Sequence, residues 1–152
     1  MDLLTLFELG DYQLVSDSTT IAAYVVLTDA AGWTLLFGDW SYSLYITPAT
    51  AVTVRNLARN FDVFTCHEGD VDRMFGYQYF CKGCLVREYD VQSPRYSDRV
   101  VKVDTGKRLP GEDELLARDG YNIGIDVASL WGIPTRFRED DLRVYAPPQA
   151  NQ

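Results

Sequence analysis

The cysteines and the single histidine of this chain are the residues whose types and spacing could bind a metal. Cys81 and Cys84 flank a Lys82-Gly83 dipeptide, and this C-x2-C spacing is typical of one half of a structural zinc site. Cys66 and His67 could supply further ligands, but they are neighbours in a segment with strand alternation. Their side chains then point to opposite faces, so at most three ligands converge. The pattern favours buried thiols over a metal site, and we expect neither a metal nor a cofactor.

Catalytic arrangements are equally weak in this sequence. His67 beside a cysteine has the residue types of a base and a nucleophile, but no positive cluster or helix start is placed to ionise a thiol. No glycine-rich phosphate loop is found. The carboxylate pair Asp70/Asp72 and the acidic run at 139–141 are explained more simply as a solvated turn and a helix start. We therefore expect that the protein is not an enzyme.

The cysteine pair lies in the strongest structural signal of the chain, the segment from Phe75 to Val91. Two β-rich runs surround the Lys82-Gly83 dipeptide, which predicts a β-hairpin at the centre of a sheet. A two-residue turn sets the register outward from Cys81 opposite Cys84. The predicted cross-strand pairs are Cys81–Cys84, Phe80–Leu85, Tyr79–Val86, Gln78–Arg87 and Tyr77–Glu88. One face then carries the tyrosines of these pairs, and the other carries Arg87.

Hydrophobic periodicity and turn residues predict the elements around this hairpin. We expect strands at Tyr12 to Val15, Ala22 to Thr28, Trp33 to Phe37, Val63 to His67 and Arg99 to Asp104, and helices at Thr47 to Asn60, Glu112 to Arg118 and Asp126 to Trp131. Leu3 to Leu9 is a strand or a helical turn, and Leu142 to Tyr145 is a terminal strand or an anchor. The order predicts an α+β fold: an antiparallel β-sheet of hairpins, one longer helix packed on it and short C-terminal helices. We expect one domain over residues 1–146 and a flexible tail at 147–152.

Composition restricts the partners of the chain. Its 152 residues carry a formal net charge of -8 and are 47% hydrophobic, which is enough for a core. Such an acidic chain repels nucleic acid and favours a basic protein partner. The N-terminal residues have no basic region and are too acidic for a signal peptide or a membrane span, and the odd number of cysteines suits a reducing compartment. We expect a cytoplasmic protein that binds neither nucleic acid nor membrane.

Aromatic and acidic residues alternate in the segment after the Trp33 to Phe37 strand. Asp39, Trp40 and Tyr42 lie between this strand and the first predicted helix, and their composition is typical of a binding surface. The same aromatic side chains could equally cover the edge of the sheet. The sequence leaves both interpretations open.

A series of segments between Gly32 and Pro134 resembles a known family. The segments are GWTLLFGDWSYSL, the Thr47 to Asn60 helix, DVFTCHEGDVDRMFGYQYFCKGCLVREYD, KRLPGEDELL and DVASLWGIP. Their order resembles small immunity proteins of bacterial polymorphic-toxin systems, and a related uncharacterised family of actinobacteria and pseudomonads. Cys81 and Cys84 match no motif of such proteins.

The resemblance implies a protein that binds a cognate secreted toxin, often over its active site, and needs no catalytic residue. Many such toxins are nucleases or deaminases with basic clefts, which an acidic inhibitor complements. The residues expected to bind the C-terminal toxin domain are Asp39, Trp40 and Tyr42, with Glu68, Asp70 and Asp72 as an acidic rim. The alternatives are a regulatory or scaffold module of a phage or host and, third, a zinc-stabilised or enzymatic domain. A neighbouring toxin gene would distinguish the first two.

Overall fold

The structure is a computed structural model, and it confirms a mixed α+β fold with antiparallel sheets. It describes residues 3–7, 11, 13–15, 25–30, 32–38, 48–68, 75–92, 100–118, 123–135 and 142–146. The chain divides into two compact units, one formed by residues 1–53 and 136–152 and the other by residues 54–135. One domain over residues 1–146 stays a prediction, and the tail at 147–152 lies outside the described residues.

The described residues form short helices and strands close to the predicted ones. The helices are α1 (Leu3–Leu6), α2 (Pro48–Ala58), α3 (Glu112–Leu116) and α4 (Ile123–Leu130). The strands are β1 (Gln13–Val15), β2 (Val25–Ala30), β3 (Trp33–Gly38), β4 (Val63–Glu68), β5 (Phe75–Cys81), β6 (Cys84–Gln92), β7 (Val100–Gly106) and β8 (Arg143–Ala146). These strands lie in two four-stranded sheets, where the sequence predicted one.

The first sheet has the strand order β1-β8-β2-β3 and belongs to the first unit. Its hairpin strands pair as far as Ala30 opposite Trp33, so the connection between them is shorter than the predicted break at 29–32. Gly32 has a φ of 83, which a glycine adopts without steric cost. The C-terminal strand β8 pairs with both β1 and β2, which settles the choice between a strand and an anchor.

The second sheet has the order β4-β5-β6-β7 and contains the predicted central hairpin, β5 and β6. Lys82 and Gly83 have φ values of 50 and 79. Two consecutive residues with positive φ make the turn whose twist matches that of the flanking strands, which is why Lys-Gly suffices here. Cys81 lies opposite Cys84, as predicted.

The predicted hairpin register holds only near the turn and is wrong beyond Phe80. An irregularity between Tyr79 and Phe80 leaves Val86 without a cross-strand partner, so Tyr79 lies opposite Arg87. The remaining pairs shift with it: Gln78–Glu88, Tyr77–Tyr89, Gly76–Asp90 and Phe75–Val91. Because side chains alternate along a strand, one extra residue moves Arg87 to the same face as the tyrosines.

That face forms the core of the second unit. The buried cluster consists of Phe75, Tyr77, Tyr89, Val91, Ile123 and Val127. Helix α4 supplies the last two of these and packs against β4 and β5. Three of the rings are close neighbours, with centroids 5.8 Å apart for Phe75 and Tyr89 and 5.9 Å apart for Tyr77 and Tyr89. The short C-terminal helix therefore covers the sheet face on which the site described below is built.

Helix α2 has the apolar stripe that its sequence predicts. Val54 and Ala58 are buried, whereas Arg55 and Arg59 are exposed. Helical spacing would place Phe61 on the same stripe as Val54 and Ala58, but it is 52% exposed because it lies past the end of the helix. The C-terminal end of the helix lies beside the hairpin turn: a Cβ at Gly83 would be 3.8 Å from the Cα of Arg59.

Candidate functional site

Arg87 is the central residue of the largest polar cluster among the described residues. Its side chain has 0% exposure, and its guanidinium lies over the rings of Tyr77 and Tyr89, 5.9 Å and 5.5 Å from their centroids. A buried charge is costly unless ion pairs and hydrogen bonds replace its hydration. The partners of Arg87 therefore decide whether this arrangement is stable.

Glu112 of α3 is the main partner of Arg87 and is also 0% exposed. Its Oε1 accepts a hydrogen bond of 2.7 Å from Nε of Arg87 and one of 2.5 Å from the hydroxyl of Tyr77. Nη2 of Arg87 lies 2.7 Å from the same oxygen, as an ion pair without hydrogen-bond alignment. Oε2 accepts the backbone N–H of Leu109 at 2.9 Å. One carboxylate thus connects β5, β6 and the loop before α3.

The other end of the guanidinium is also buried, but it bonds residues of β7 that are nearer the surface. Nη1 of Arg87 donates to Asp104 Oδ1 at 2.7 Å and to the carbonyl of Thr105 at 2.7 Å. Arg108 bonds the second oxygen of Asp104 and also bonds Asp113. The result is a chain of alternating charges that runs from the core to the surface across β6, β7 and α3.

The electrostatics of this chain stabilise its charged forms. Burial tends to lower the pKa of the Arg87 guanidinium, but its hydrogen bonds to Glu112 and Asp104 outweigh burial and raise it. Burial tends to raise the pKa of Asp104, yet the hydrogen bonds from Arg108 and Arg87 lower it. Burial, with the bond to Glu112, raises the pKa of Tyr77 well above its ordinary value. Arg87 and Asp104 are therefore held ionised and Tyr77 neutral.

The buried cluster is suited to holding the fold together rather than to catalysis. Arg87 and Glu112 are inaccessible to a substrate, and Tyr77 is only 2% exposed. Sequence reasoning missed it because the predicted register put Arg87 on the opposite face. The sequence does contain one signal, the glycine at position 106. In the structure Gly106 has a φ of 88 and lies so close to the Val86 carbonyl that no side chain would fit. A glycine in a strand often marks such a bulge.

His67 forms the second polar arrangement, on the other face of the same sheet. Its Nε2 lies 3.3 Å from Oδ2 of Asp90, and each side chain is about a quarter exposed, at 26% and 27%. The two residues lie on β4 and β6, with Gly76 of β5 between them in the ladder. A Cβ at Gly76 would lie 2.5 Å from a ring carbon of His67 and 2.7 Å from Oδ2 of Asp90. The missing side chain is what lets this pair meet across the central strand.

The structure separates the residues that could have formed a metal site. Cys66 and His67 are adjacent on β4, so they point to opposite faces, as expected from strand alternation. Cys66 lies opposite Tyr77, four residues along β5 from Cys81. Among the described residues, no three histidine, cysteine or acidic side chains gather closely enough to hold a metal ion.

The expectation of buried thiols is wrong for these cysteines. Cys66 and Cys84 are exposed and Cys81 is half-buried. Cys81 and Cys84 flank the turn and lie outside the buried cluster to which α4 contributes. Asp62 organises this end of the sheet, since it accepts the hydroxyl of Tyr79 at 3.3 Å and the backbone N–H of Lys82 at 3.4 Å.

Most of the residues predicted to bind a toxin fall outside the described part of the chain. Asp39, Trp40, Tyr42, Asp70 and Asp72 are among them. Glu68 is the last residue of β4, and its side chain is likewise not described. The first group follows β3 of one sheet and the acidic group follows β4 of the other. These binding residues stay a prediction.

The edge strand β7 exposes apolar side chains that sequence reasoning did not select. Val100 is 39% exposed and Val101 is 49% exposed. The cross-strand pairs place them at the end of the sheet where β4 finishes. Glu68 lies opposite Phe75, Phe75 lies opposite Val91, and Val91 lies opposite Val101. Successive strand residues point to opposite faces, so of the two valines only Val101 shares a face with Val91, and β7 lies at the opposite edge of the sheet from β4. An exposed apolar residue and an acidic segment at one end of a sheet have the composition of an interface centre and its rim.

Comparisons with known proteins add no family to these observations. No protein-family model, no curated protein and no solved structure matches the chain. Within the described segments, no helix has the length and apolar character needed to cross a membrane.

Proposed function

We propose that this chain is an immunity protein, a stoichiometric inhibitor that binds and neutralises a cognate secreted bacterial toxin in the cytoplasm of the producing cell. The proposal does not require a catalytic residue. Its partner is the C-terminal toxin domain, a basic protein such as a nuclease or a deaminase. The acidic surface of the inhibitor would occlude the substrate cleft of that domain.

The observation that carries the proposal is the exposed Val101 on edge strand β7, at the same end of the sheet as Glu68, where the acidic segment begins. Protein interfaces combine a desolvated apolar centre with a polar rim. Asp70 and Asp72 follow Glu68 in sequence and would extend that rim.

The charge distribution supports a basic protein as the partner. The net charge is -8, and the exposed guanidinium groups of Arg108 and Arg118 are already paired with carboxylates. Complementary charge accelerates association with a basic protein and disfavours other partners. The same pairing leaves these arginines poorly suited to hold a phosphate backbone.

Co-expression tests the proposal directly. Where a neighbouring gene encodes a large protein with a variable C-terminal domain, the chain is expressed together with that domain. We expect growth to be restored and the two proteins to co-purify in equal amounts. Absence of both rescue and complex formation would refute the proposal.

A matched pair of variants tests the surface. Val101→Arg places a positive charge in the proposed apolar centre and should weaken toxin binding at least about tenfold, as loss of an interface centre does. Leu85→Arg is the control, because Leu85 is similarly exposed, at 44%, but lies at the hairpin end of the same sheet. Equal effects of the two variants on the dissociation constant would place the interface elsewhere.

Charge reversal tests the rim separately. Asp70→Lys combined with Asp72→Lys should slow association and reduce its dependence on salt, because steering by the acidic segment is lost. Association rates measured over a range of ionic strength check this. Unchanged kinetics would exclude the acidic segment from the interface.

A further inference from the structure

Two thiols face each other at the hairpin tip, the segment formed by Cys81, Lys82, Gly83 and Cys84. Cys81 and Cys84 are direct cross-strand partners, and both are thiols. Opposite residues of an antiparallel pair have Cα atoms about 4.5 to 5.5 Å apart. That separation lies inside the range of about 4.4 to 6.8 Å that a disulfide spans. The backbone already provides the spacing that a disulfide needs.

The two thiols are accessible and do not pack in the core. Cys84 is exposed and Cys81 is half-buried, and the turn residues between them are exposed as well. Exposure and a neighbouring resolving thiol are two of the features shared by cysteines that react reversibly with small oxidants. Burial in the core therefore does not account for the presence of this pair.

The surroundings give the two thiols different roles. The hydrogen bond to Asp62 raises the pKa of the Cys81 thiol, with burial acting in the same direction and the charge of Lys82 against it. Cys81 is thus held protonated beside an acceptor, whereas Cys84 is the more accessible of the two. Cys84 is placed to react first with an incoming oxidant, and Cys81 to resolve the product.

The geometry of the hairpin favours a disulfide that forms and breaks easily. The turn is already closed by its own backbone conformation, so a disulfide across it constrains little additional chain. Exposed disulfides are also attacked readily by external thiols. Such a bond adds little as a structural staple and is open to exchange.

We propose that Cys81 and Cys84 form a reversible disulfide, which makes the hairpin tip a redox site for low-molecular-weight disulfides such as oxidised glutathione. The thiolate of Cys84 attacks oxidised glutathione, forms a mixed disulfide and releases one glutathione thiolate. Cys81 then attacks the Cys84 sulfur, its proton passes to solvent, and the second glutathione leaves. The two cysteines are oxidised and one oxidised glutathione is reduced to two thiols. This proposal does not depend on the toxin.

The full chain is equilibrated in glutathione buffers of graded composition, quenched with acid, alkylated with N-ethylmaleimide and digested with trypsin. Lys82 lies between the two cysteines, so cleavage places them in peptides 74–82 and 83–87. A disulfide keeps these peptides joined. Their joined fraction should rise from about a tenth to nine tenths over a roughly hundredfold change in the ratio of oxidised glutathione to the square of reduced glutathione. Intact mass under non-reducing conditions should show a monomer that has lost two hydrogens.

Cys66 provides an internal comparison, because it lies opposite Tyr77 rather than a cysteine and falls in the separate peptide 60–73. Any product at Cys66 should be a mixed disulfide with glutathione. Cys81→Ser should convert the product at Cys84 to a mixed disulfide as well. The proposal fails if peptides 74–82 and 83–87 stay separate in the most oxidising buffer, or if they are joined only in disulfide-linked dimers.

Discussion

At the scale of single residues, the fold of the second unit depends on a buried arginine. Arg87 has 0% exposure and is compensated by Glu112, by Asp104 and by two backbone carbonyls. An ion pair of this kind contributes less to stability than its distances suggest, because both charges lose their hydration. Removing one partner is different, since the remaining charge then stays buried without compensation.

Arg87→Ala should lower the free energy of unfolding by about 3 to 5 kcal/mol, the cost of an uncompensated buried charge. Arg118→Ala is the matched control, because Arg118 also pairs with an aspartate at 2.6 Å but is 53% exposed. Its loss should cost less than about 1 kcal/mol. Urea denaturation of the three proteins measures both differences. Similar losses for the two variants would contradict the role assigned to burial.

A double variant separates lost charge compensation from lost packing. Replacing Arg87 by Met and Glu112 by Leu removes both charges and keeps most of the volume. We expect this variant to be more stable than Arg87→Ala alone, because buried ion pairs can often be replaced by apolar residues with little loss. If the double variant is no more stable, the effect of Arg87→Ala comes from packing.

At this site the sequence predicts the turn and the aromatic core better than it predicts the face of the sheet to which each side chain points. The aromatic residues of β5 are core residues, as expected, and the turn is at Lys82-Gly83. The partnership of Arg87 with Glu112 was not predictable, because it depends on a register shift and on a contact across 25 residues. Neither is encoded in local periodicity. The thiols were assigned to the core because composition does not reveal how far α4 extends along the hairpin.

At the scale of elements, the bulge at Val86 and the glycine at 106 belong together. Gly106 lies opposite Arg87 on β7, with a φ of 88. A Cβ there would overlap the carbonyl oxygen of Val86 and approach the Cα of Arg87 closely. The bulge brings the backbone of β6 toward β7, and only glycine fits at the closest point.

Gly106→Ala should therefore destabilise the protein by roughly 3 kcal/mol or more, since overlap with backbone adds to the cost of positive φ. Gly132→Ala is the matched control. Gly132 has a φ of 72, but nothing lies within 4 Å of a Cβ placed there. Its loss should be about 1 kcal/mol, the cost of the backbone conformation alone. Thermal unfolding of both variants checks the difference, and equal shifts would mean that the close approach is unimportant.

Local signals account for most of the element boundaries. Helix α2 begins at Pro48 and the β2 and β3 strands meet at a glycine turn, as residue types predict. The division into two sheets and the central position of β8 were not predictable, because pairing between distant strands depends on the tertiary fold. The α+β class follows from the order of elements, but the number of sheets does not.

At the scale of the whole molecule, groups with shifted pKa values link stability to pH. Asp104 has a pKa below its ordinary value, so its contribution is present above that ordinary value and is lost as the pH falls through the folded-state value. Burial, with Asp62 next in importance, raises the pKa of Tyr79 to about 12, and Tyr77 is raised further. The contribution of the tyrosines is complete below pH 10 and is lost as the pH rises.

Between pH 10 and 12 the free energy of unfolding should therefore fall steeply, because the folded state keeps protons that the unfolded state releases. Tyr79→Phe removes one such proton. The free energy of unfolding of this variant should therefore fall less steeply with pH over this interval, by about 1.4 kcal/mol per pH unit. Denaturant unfolding at several pH values gives both slopes. Parallel slopes would show that Tyr79 titrates alike in both states.

The bulge at Val86 also affects how the hairpin fluctuates. Interrupted pairing at this position separates the turn-proximal pairs from the ladder that α4 covers. We expect amide hydrogens on the two sides to exchange with solvent deuterium as separate cooperative units, the turn-proximal amides faster. One inserted residue thus gives a single hairpin two local stabilities: its outer end can open repeatedly while the aromatic section stays closed.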